Sequence, residues 1–280
     1  MTAAFRIMGV VNVTPDSFSD GGRFLEPDAA AAHAVALAGE GAALLDIGGE
    51  STRPGAEPVS SEVELRRVVP VIERLSQAGV PARISVDTQK VPVARAALDA
   101  GASFVNDVTA FRGEPALAEL VAEFGCDCCL MHMRGDPRTM QGDPRYDDVV
   151  DDVKAFLELR LAFAVAAGVA EAKVMLDPGI GFGKTVDHNL ALVRRLDEIV
   201  AIGRPVVIGT SRKTFLGRIT GREVGDRLPG TIATNVLALE RGASVFRVHD
   251  VADVHAALTV AAATVTGRWT PATAQATSTS

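Results

Sequence analysis

Eight short apolar runs alternate along the chain with eight alanine-rich segments of helical periodicity, and this alternation constrains the fold more than any other feature. The apolar runs cover residues 6–13, 43–48, 82–87, 103–108, 127–132, 173–177, 205–210 and 244–249. The helical segments, most of which end at a glycine, cover residues 27–41, 61–79, 91–101, 114–125, 146–168, 187–203, 228–242 and 252–267. Eight strand–helix pairs predict an α/β fold, the parallel (β/α)8 or TIM barrel, rather than an open doubly wound sheet.

The length of 280 residues fits one barrel domain, because such barrels commonly need about 250 residues. We assign residues 1–268 to this domain and predict a disordered tail over residues 269–280, where no apolar periodicity remains. The formal net charge is −7 without a run of lysine or arginine, which argues against nucleic acid or an anionic membrane as a partner. No signal-peptide or membrane-spanning pattern occurs, so we expect a cytoplasmic protein.

Three cysteines, Cys126, Cys128 and Cys129, lie close together in one apolar run. Because neighbouring residues of a strand point to opposite faces, their side chains cannot all bind one metal ion. We therefore expect buried, reduced thiols at these positions rather than a metal site.

Polar side chains lie where several of the predicted strands end. These residues are Asn12, Asp87, Asn106, Asp177, Ser211, Lys213, Arg247 and His249. A (β/α)8 barrel builds its active site from the carboxyl ends of its strands, so these side chains should gather at one rim. Burying charges without partners costs on the order of several kcal/mol each, so packing alone seldom collects this many. The pattern predicts a binding site.

The chemistry of these groups divides into two parts. One part mixes hydrogen-bond donors with acceptors, as the edge of a polar heterocycle requires. Its members are Asp87, Asn106, Asp177 and Lys213. The other part is Arg247 and His249, which end the eighth strand where barrels commonly bind phosphate, with Asn12 on the adjacent first strand. Met131 could form an apolar wall for a ring, or could belong to the core.

A glycine-rich segment, residues 179–185, resembles two nucleotide-binding motifs but satisfies neither. For a phosphate-binding P-loop, Pro178 occupies the position of the required first glycine, and the context after a sixth barrel strand is wrong. For a dinucleotide-binding fingerprint, Lys184 stands where the third glycine belongs. We interpret the segment as a rim loop that carries Phe182.

At these residues the sequence closely resembles the bacterial dihydropteroate synthase family of the folate pathway. The resemblance covers about residues 8–267, and eight motifs carry it in barrel order. They are NVTPDSFSDGG at 12–22, GGESTRPGA at 48–56, SVDT at 85–88, ND at 106–107, LMH at 130–132, DPGIGFGK at 177–184, SRK at 211–213 and RVH at 247–249. Each motif alone is weak, whereas the whole set is highly specific.

The resemblance implies a transferase that joins (7,8-dihydropterin-6-yl)methyl diphosphate to 4-aminobenzoate, releasing diphosphate and 7,8-dihydropteroate. The pterin would be bound by Asp87, Asn106, Met131, Asp177 and Lys213. The diphosphate would be bound by Asn12, Thr52, Arg53, Arg247 and His249. The 4-aminobenzoate pocket would consist of Phe18, Thr52, Arg53, Pro54, Phe182, Ser211 and Lys213. The catalytic groups would be Asp87, Lys213, Arg247 and His249, and Asn12 would contact the cofactor Mg²⁺, which would arrive with the diphosphate.

The mechanism implied by the resemblance begins with loss of diphosphate and a pterin-stabilised methylene cation, which the arylamine then attacks. An arylamine is unprotonated at neutral pH, so neither a nucleophilic residue nor a strong base is required. Arg53, Arg247 and His249 would stabilise the leaving group, and Asp87 the cation. Residues 14–22 would form a mobile lid that carries Phe18 over the second substrate.

Two alternatives share part of this pattern. The pterin-binding barrel of corrinoid methyltransferases has the fold and the pterin carboxylates, but it needs neither the SRK motif nor the aminobenzoate loop. An inactive paralogue would act only as a structural partner in a dimer. The resemblance favours small-molecule substrates and a homodimer, and the net charge argues against nucleic acid or a membrane as a partner.

Overall fold

A computed structural model describes residues 5–14, 27–52, 55–136 and 138–269. Within this part of the chain, eight parallel strands form one sheet in the order β6-β5-β4-β3-β2-β1-β8-β7. The strands are β1 (Arg6–Asn12), β2 (Ala42–Gly48), β3 (Arg83–Asp87), β4 (Phe104–Asp107), β5 (Asp127–Met131), β6 (Val174–Asp177), β7 (Val207–Ile208) and β8 (Val245–Val248). A bridge between Leu176 and Val206 joins β6 to the segment before β7, so the sheet closes. The predicted (β/α)8 barrel is confirmed.

Helices connect the strands around the outside of the barrel. They are α1 (Pro27–Gly39), α2 (Ser61–Gln77), α3 (Val91–Asp99), α4 (Ala116–Phe124), α5 (Val149–Ala166), α6 (Val186–Arg194), α7 (Leu196–Val200), α8 (Thr214–Thr220), α9 (Leu228–Glu240) and α10 (Val251–Thr266). Side-chain caps fix some of the starts. Asp148, for example, precedes α5, and its carboxylate accepts hydrogen bonds from the amides of Val150 and Asp151 in the first turn of that helix. None of the described helices is long and apolar enough to cross a lipid bilayer.

The structure departs from the predicted elements on the β6–β8 side of the barrel. The helix predicted over residues 187–203 is two helices, because Arg195 leaves helical geometry with φ −108° and ψ 29°. Helix α8 was not predicted; it is short and ends at Gly221 in the left-handed conformation. Strand β7 has two residues instead of six, since Pro205 has no N–H to donate to a neighbouring strand and a turn begins at Thr210. Residues 270–280 of the predicted tail lie outside the described part.

Apolar side chains fill two layers. The larger core lies between strands and helices and contains Ile47, Val86 and Leu130. The second cluster fills the barrel interior and contains Met8, Leu44, Phe104, Cys129, Met175, Val207 and Val245. Cys128 belongs to the outer core and Cys129 to the interior, as strand alternation predicts. The apolar interior ends at the level of these side chains, and polar groups take over toward the carboxyl ends of the strands.

Candidate active site

A buried ion cluster lies directly above the apolar interior. Arg247 on β8 donates from Nε to Oδ2 of Asp46 at 2.6 Å and from Nη2 to Oδ2 of Asp87 at 2.8 Å. Asp46 also accepts hydrogen bonds from Ser85 Oγ at 2.6 Å and from Asn106 Nδ2 at 2.9 Å. Three of the predicted site residues are therefore joined in one cluster: Asp46 links Asn106 to Arg247, and Arg247 links Asp46 to Asp87.

Sequence reasoning missed Asp46, whose carboxylate is fully buried. A signal was present, since Asp46 is the one charged residue of the apolar run at 43–48. Because Leu44 points into the barrel, strand alternation also places Asp46 on the interior face. An interior carboxylate in a barrel strand needs a cation, and Arg247 is that cation.

The cluster has two carboxylates for one guanidinium. Burial and the neighbouring charge of Asp46 raise the pKa of Asp87 to about 8. Burial lowers the pKa of Arg247, but the carboxylates of Asp46 and Asp87 more than offset this and raise it overall. Arg247 is thus permanently charged, while the charge of Asp87 responds to whatever binds beside it.

A second group of predicted residues meets at the ends of β6 and β7. Asp177 is buried and accepts a hydrogen bond at Oδ1 from the amide of Gly179 at 2.7 Å. Lys213 donates from Nζ to the carbonyl oxygen of Ile180, and Nζ lies 4.2 Å from the ring centroid of Phe182. Met131 forms an apolar cluster with Val108, Met133 and Met140, and Phe182 packs against this cluster. The polar and apolar walls of one pocket are therefore adjacent.

Burial shifts both charged groups of this pocket toward neutrality. The pKa of Asp177 is raised by burial, although the charge of Lys213 opposes the shift. The pKa of Lys213 is lowered to about 7 by burial, although Asp177 opposes that shift. A lysine near neutrality can change its protonation state when a ligand binds.

Ser211 and His249 touch each other at the rim between β7 and β8. The Oγ atom of Ser211 lies 3.0 Å from Nδ1 of His249 and accepts a hydrogen bond from the amide of His249 at 3.2 Å. Between Ser211 and Lys213, Arg212 adopts φ 57° and donates to the carboxylate of Asp250. The sequence assigned Ser211 and His249 to different substrates, and the structure places them side by side.

Asn12 and Asp87 flank Gly48 at the end of β2. A Cβ atom on Gly48 would lie 3.8 Å from Oδ1 of Asn12 and 3.7 Å from Oδ2 of Asp87. No group of three or more acidic, histidine or cysteine side chains that could hold a metal ion occurs within the described ranges. Asn12 offers a single amide oxygen, which fits an Mg²⁺ ion that brings most of its ligands with the substrate.

The loop after β2 is held by Lys90, whose side chain is 13% exposed. Lys90 donates from Nζ to Glu50 at 2.8 Å, to Glu64 at 2.6 Å and to the carbonyl oxygen of Val59 at 2.8 Å. Glu50 in turn accepts the amide of Val59 at 3.0 Å. Thr52 lies in this loop and lines a cavity of about 350 Å³ that Asp87 also lines. Sequence reasoning missed the Lys90 network, because its members are far apart in the chain.

Three predicted site residues, Phe18, Arg53 and Pro54, lie outside the described residues, as does nearly all of the predicted lid at 14–22. The other predicted residues fall at the carboxyl ends of the strands or in the loops that follow them. Most of them form three groups, the Asp46 cluster, the pocket of Asp177 and Lys213, and the pair of Ser211 and His249. Asn12 lies beside Gly48 and Thr52 lines the cavity after β2.

Comparison with known proteins identifies the family that shares this arrangement. A family model described as "Pterin binding enzyme" matches residues 8–249. The dihydropteroate synthase of Mycobacterium leprae is 48% identical over 257 residues, covering 89% of each chain. The chain belongs to the dihydropteroate synthase family. The synthase of Escherichia coli K12 is 44% identical over 262 residues, covering 94% of this chain and 92% of its own.

Solved structures of dihydropteroate synthases have the same fold. That of Yersinia pestis, determined as a complex with a sulfonamide drug, gives a TM-score of 0.90 at 43% identity, covering 95% of this chain and 96% of its own. That of Xanthomonas albilineans, with 4-aminobenzoic acid, gives a TM-score of 0.86 at 50% identity and 92% coverage of both chains. The predicted enzyme class, a pterinylmethyl transferase, is confirmed, and neither the methyltransferase barrel nor an inactive paralogue is favoured.

Proposed function

We propose that this chain condenses (7,8-dihydropterin-6-yl)methyl diphosphate with 4-aminobenzoate to give 7,8-dihydropteroate and diphosphate. The observation that carries the proposal is the convergence of Asp87, Asn106, Asp177 and Lys213 at one rim of the barrel. Family membership supports it, as do the structures of a relative from Xanthomonas albilineans with 4-aminobenzoic acid and with 7,8-dihydropteroate.

The pterin would bind between the two clusters. Asp177 would accept hydrogen bonds from ring N–H groups, and Asn106 and Lys213 would bind polar atoms of the heterocycle. Met131 would lie against the ring face, because it already packs in the apolar cluster that Phe182 joins. Asp87 would lie near the reacting methylene group.

The diphosphate would bind beside this pocket, at the ends of β1, β2 and β8. Arg247 uses two N–H groups on Asp46 and Asp87, and a guanidinium has five, so donors remain for an anion. His249, Thr52 and Arg53 would complete this subsite. Mg²⁺, when bound, would add positive charge to the leaving group, with the amide oxygen of Asn12 as its protein ligand.

The charged side chains at the rim would stabilise the charges that develop during the reaction. The bond from the methylene carbon to the diphosphate oxygen breaks first, and Arg247 and His249 stabilise the departing anion. Asp87 stabilises the cation that remains, because a positive charge beside it favours its ionised form. The arylamine nitrogen of 4-aminobenzoate then forms the new bond and loses its proton to water. Phe18, Thr52, Arg53, Pro54, Phe182, Ser211 and Lys213 would orient it.

The direct test is a condensation assay with the purified protein, pterin diphosphate and 4-aminobenzoate, in which dihydropteroate and diphosphate should form in equal amounts. Omission of Mg²⁺ should abolish product formation, and calcium in its place tests the choice of metal. A protein that binds pterin diphosphate without forming product would contradict the proposed reaction.

Arg247→Ala should weaken diphosphate binding by about 2–5 kcal/mol if the contact is desolvated. Free diphosphate titrated into the variant measures the loss directly. Because the substitution also removes the cation of Asp46 and Asp87, thermal unfolding must show that the variant is folded at the titration temperature. Unchanged affinity in the folded variant would remove Arg247 from the diphosphate subsite.

Lys213 should take up a proton when pterin diphosphate binds at pH 8. Its pKa is about 7 in the free protein, so it is mostly neutral at pH 8, and an anionic ligand favours its charged form. Calorimetry in buffers of different ionisation enthalpy counts the protons. Lys213→Arg, which stays charged, should bind fewer protons than the wild type at pH 8 and an equal number at pH 5. If the wild type and Lys213→Arg take up the same number of protons at pH 8 as well as at pH 5, Lys213 does not have this role.

We also propose that the protein forms a homodimer, as the family resemblance suggests. Helices α9 and α10 expose large apolar side chains, Leu237 at 48%, Val260 at 68% and Val265 at 55%. Sedimentation equilibrium tests this proposal, and a monomer at micromolar concentration would contradict it.

A further inference from the structure

The glycine-rich segment after β6 ends in a lysine that no proposed substrate contact uses. Lys184 is only 3% exposed. Its Nζ atom donates to the carbonyl oxygens of Gly179 at 2.9 Å and Phe182 at 3.1 Å, and lies 2.9 Å from Nδ1 of His132. Burial lowers the pKa of Lys184 well below its ordinary value, and a buried amino group is costly unless its hydrogen bonds are made, as they are here.

The partners of Lys184 belong to two loops that lie backbone against backbone. A Cβ atom on Gly179 would overlap the carbonyl oxygen of His132, and one on Gly183 would lie 2.6 Å from that of Arg134. Both glycines have positive φ, 67° and 65°, which other residues adopt only with strain. Lys184 thus bonds to Gly179 and Phe182 within the segment 179–183 and contacts His132, the residue after β5.

Tyr146, which lies shortly before α5, also holds the segment 179–183 in place. The hydroxyl of Tyr146 donates to the carbonyl oxygen of Gly183 at 2.7 Å. The ring of Tyr146 also lies 6.0 Å, centroid to centroid, from that of His132. Burial, then the charges of Lys184 and Arg112, lower the pKa of His132 to about 2, so His132 stays neutral beside Lys184.

The segment presents three consecutive residues to Lys213. The carbonyl oxygen of Ile180 accepts a hydrogen bond from its Nζ atom. A Cβ atom on Gly181 would lie 2.8 Å from its Cδ atom, and the ring of Phe182 lies 4.2 Å from Nζ. The position of the Lys213 ammonium group is therefore set by where this segment lies.

We propose that Lys184 is a positioning residue that fixes the segment 179–183 and thereby places Lys213 and Phe182 for the second substrate. The inference rests on the proposed roles of Lys213 and Phe182 in binding 4-aminobenzoate. Lys184 itself is not among the proposed contacts to either substrate. This positioning role also explains why a segment that resembles a P-loop ends in a lysine. The lysine binds the carbonyl oxygens of its own loop instead of a phosphate.

Lys184→Met removes the hydrogen bonds and keeps the volume of the side chain. The KM for 4-aminobenzoate should rise about 10- to 100-fold, because a displacement of about 1 Å in a positioning group has effects of this size. Affinity for free diphosphate should not change, since Arg247 and His249 lie on β8 and beyond it. Lys173→Met is the matched control. Lys173 lies at the opposite end of β6 and donates to a carbonyl oxygen, that of Gly125, and its loss should leave both constants unchanged.

Tyr146→Phe provides a second variant that disturbs no charge. It should raise the KM for 4-aminobenzoate in the same direction by a smaller factor, and it decides the question if Lys184→Met does not fold. A lower melting temperature with unchanged KM would show a purely structural role and overturn the proposal. If affinity for free diphosphate fell by the same factor as the KM for 4-aminobenzoate rises, the whole site would be distorted, and the proposal would be overturned as well. Wild-type protein that forms no dihydropteroate would instead overturn the proposed function.

Discussion

Lys90→Met should lower the free energy of unfolding by about 3–5 kcal/mol, the cost of leaving a buried charge without its partner. The side chain of Glu64 is fully buried, and its Oε1 atom has no hydrogen-bond partner among the residues that the structure describes. Its Oε2 atom depends on Lys90 at 2.6 Å. Removing the ammonium group leaves this carboxylate and that of Glu50 without a counter-charge. Urea denaturation followed by circular dichroism measures the loss.

An exposed ion pair provides the matched control for Lys90. Arg95 bonds to Glu123 at 2.8 Å, but the two side chains are 47% and 57% exposed. Arg95→Met should therefore change stability very little, because solvent screens an exposed ion pair. A loss for Lys90→Met no larger than that of the control would contradict the buried network.

The effect of Lys90 should persist across neutral pH. Burial lowers the pKa of Lys90, but hydrogen bonds to Glu50 and Glu64 outweigh this and raise it above its ordinary value. A group whose pKa is raised by folding stabilises the protein below its unfolded pKa and loses this effect as pH rises through the folded value. The difference between wild type and Lys90→Met should thus shrink only above about pH 10.

Asp177→Ala should abolish detectable binding of pterin diphosphate. The carboxylate is the proposed acceptor for the ring N–H groups, and losing a charged hydrogen-bond partner in a buried site costs about 3 kcal/mol or more. Calorimetric titration with pterin diphosphate measures the loss. Binding at wild-type affinity would show that the pterin lies elsewhere.

Asp177→Asn separates the substrate role of this residue from its role in the loop. The amide oxygen can still accept the hydrogen bond from Gly179 N–H, whereas the charge is lost. Burial raises the pKa of Asp177, so the folded protein binds more protons than the unfolded chain and loses stability as pH rises through that range. At pH 7 the variant should therefore unfold at a higher temperature than wild type while binding the pterin poorly. Lower stability together with lost binding would instead indicate a structural defect.

The eight-stranded barrel could be predicted from the sequence because strand and helix periodicity are local signals. Its rim residues could be predicted because parallel strands bring their carboxyl ends together. The short helix α8 and the break at Arg195 were missed, since neither has a strong apolar pattern of its own. Asp46 was overlooked inside an apolar run although strand alternation places it in the barrel interior.

Contacts that join distant elements could not be predicted in the same way. Lys90 meets Glu50 and Glu64 only because β2, α2 and α3 pack together, and no spacing along the chain encodes that meeting. The same holds for Lys184, which stands in a motif whose nucleotide-binding readings fail. The sequence places its partner His132 in the LMH motif at 130–132, but nothing in that motif predicts a contact with Lys184. Lys90 lies outside all of the sequence motifs, and the nucleotide-binding motifs that the segment of Lys184 resembles do not explain this lysine.

The buried cysteines have a practical consequence for following the loops around this site. Burial raises the pKa of all three thiols, to about 11 for Cys126, and Cys128 and Cys129 are almost completely shielded from solvent. Thiol-directed reagents need a solvent-accessible thiolate, so the native protein should label very slowly at neutral pH. A single cysteine introduced at Ala56 would then be the main site of attachment for a fluorophore. Ala56 lines the same cavity as Asp87, so such a probe would report, during turnover, when each substrate changes its surroundings.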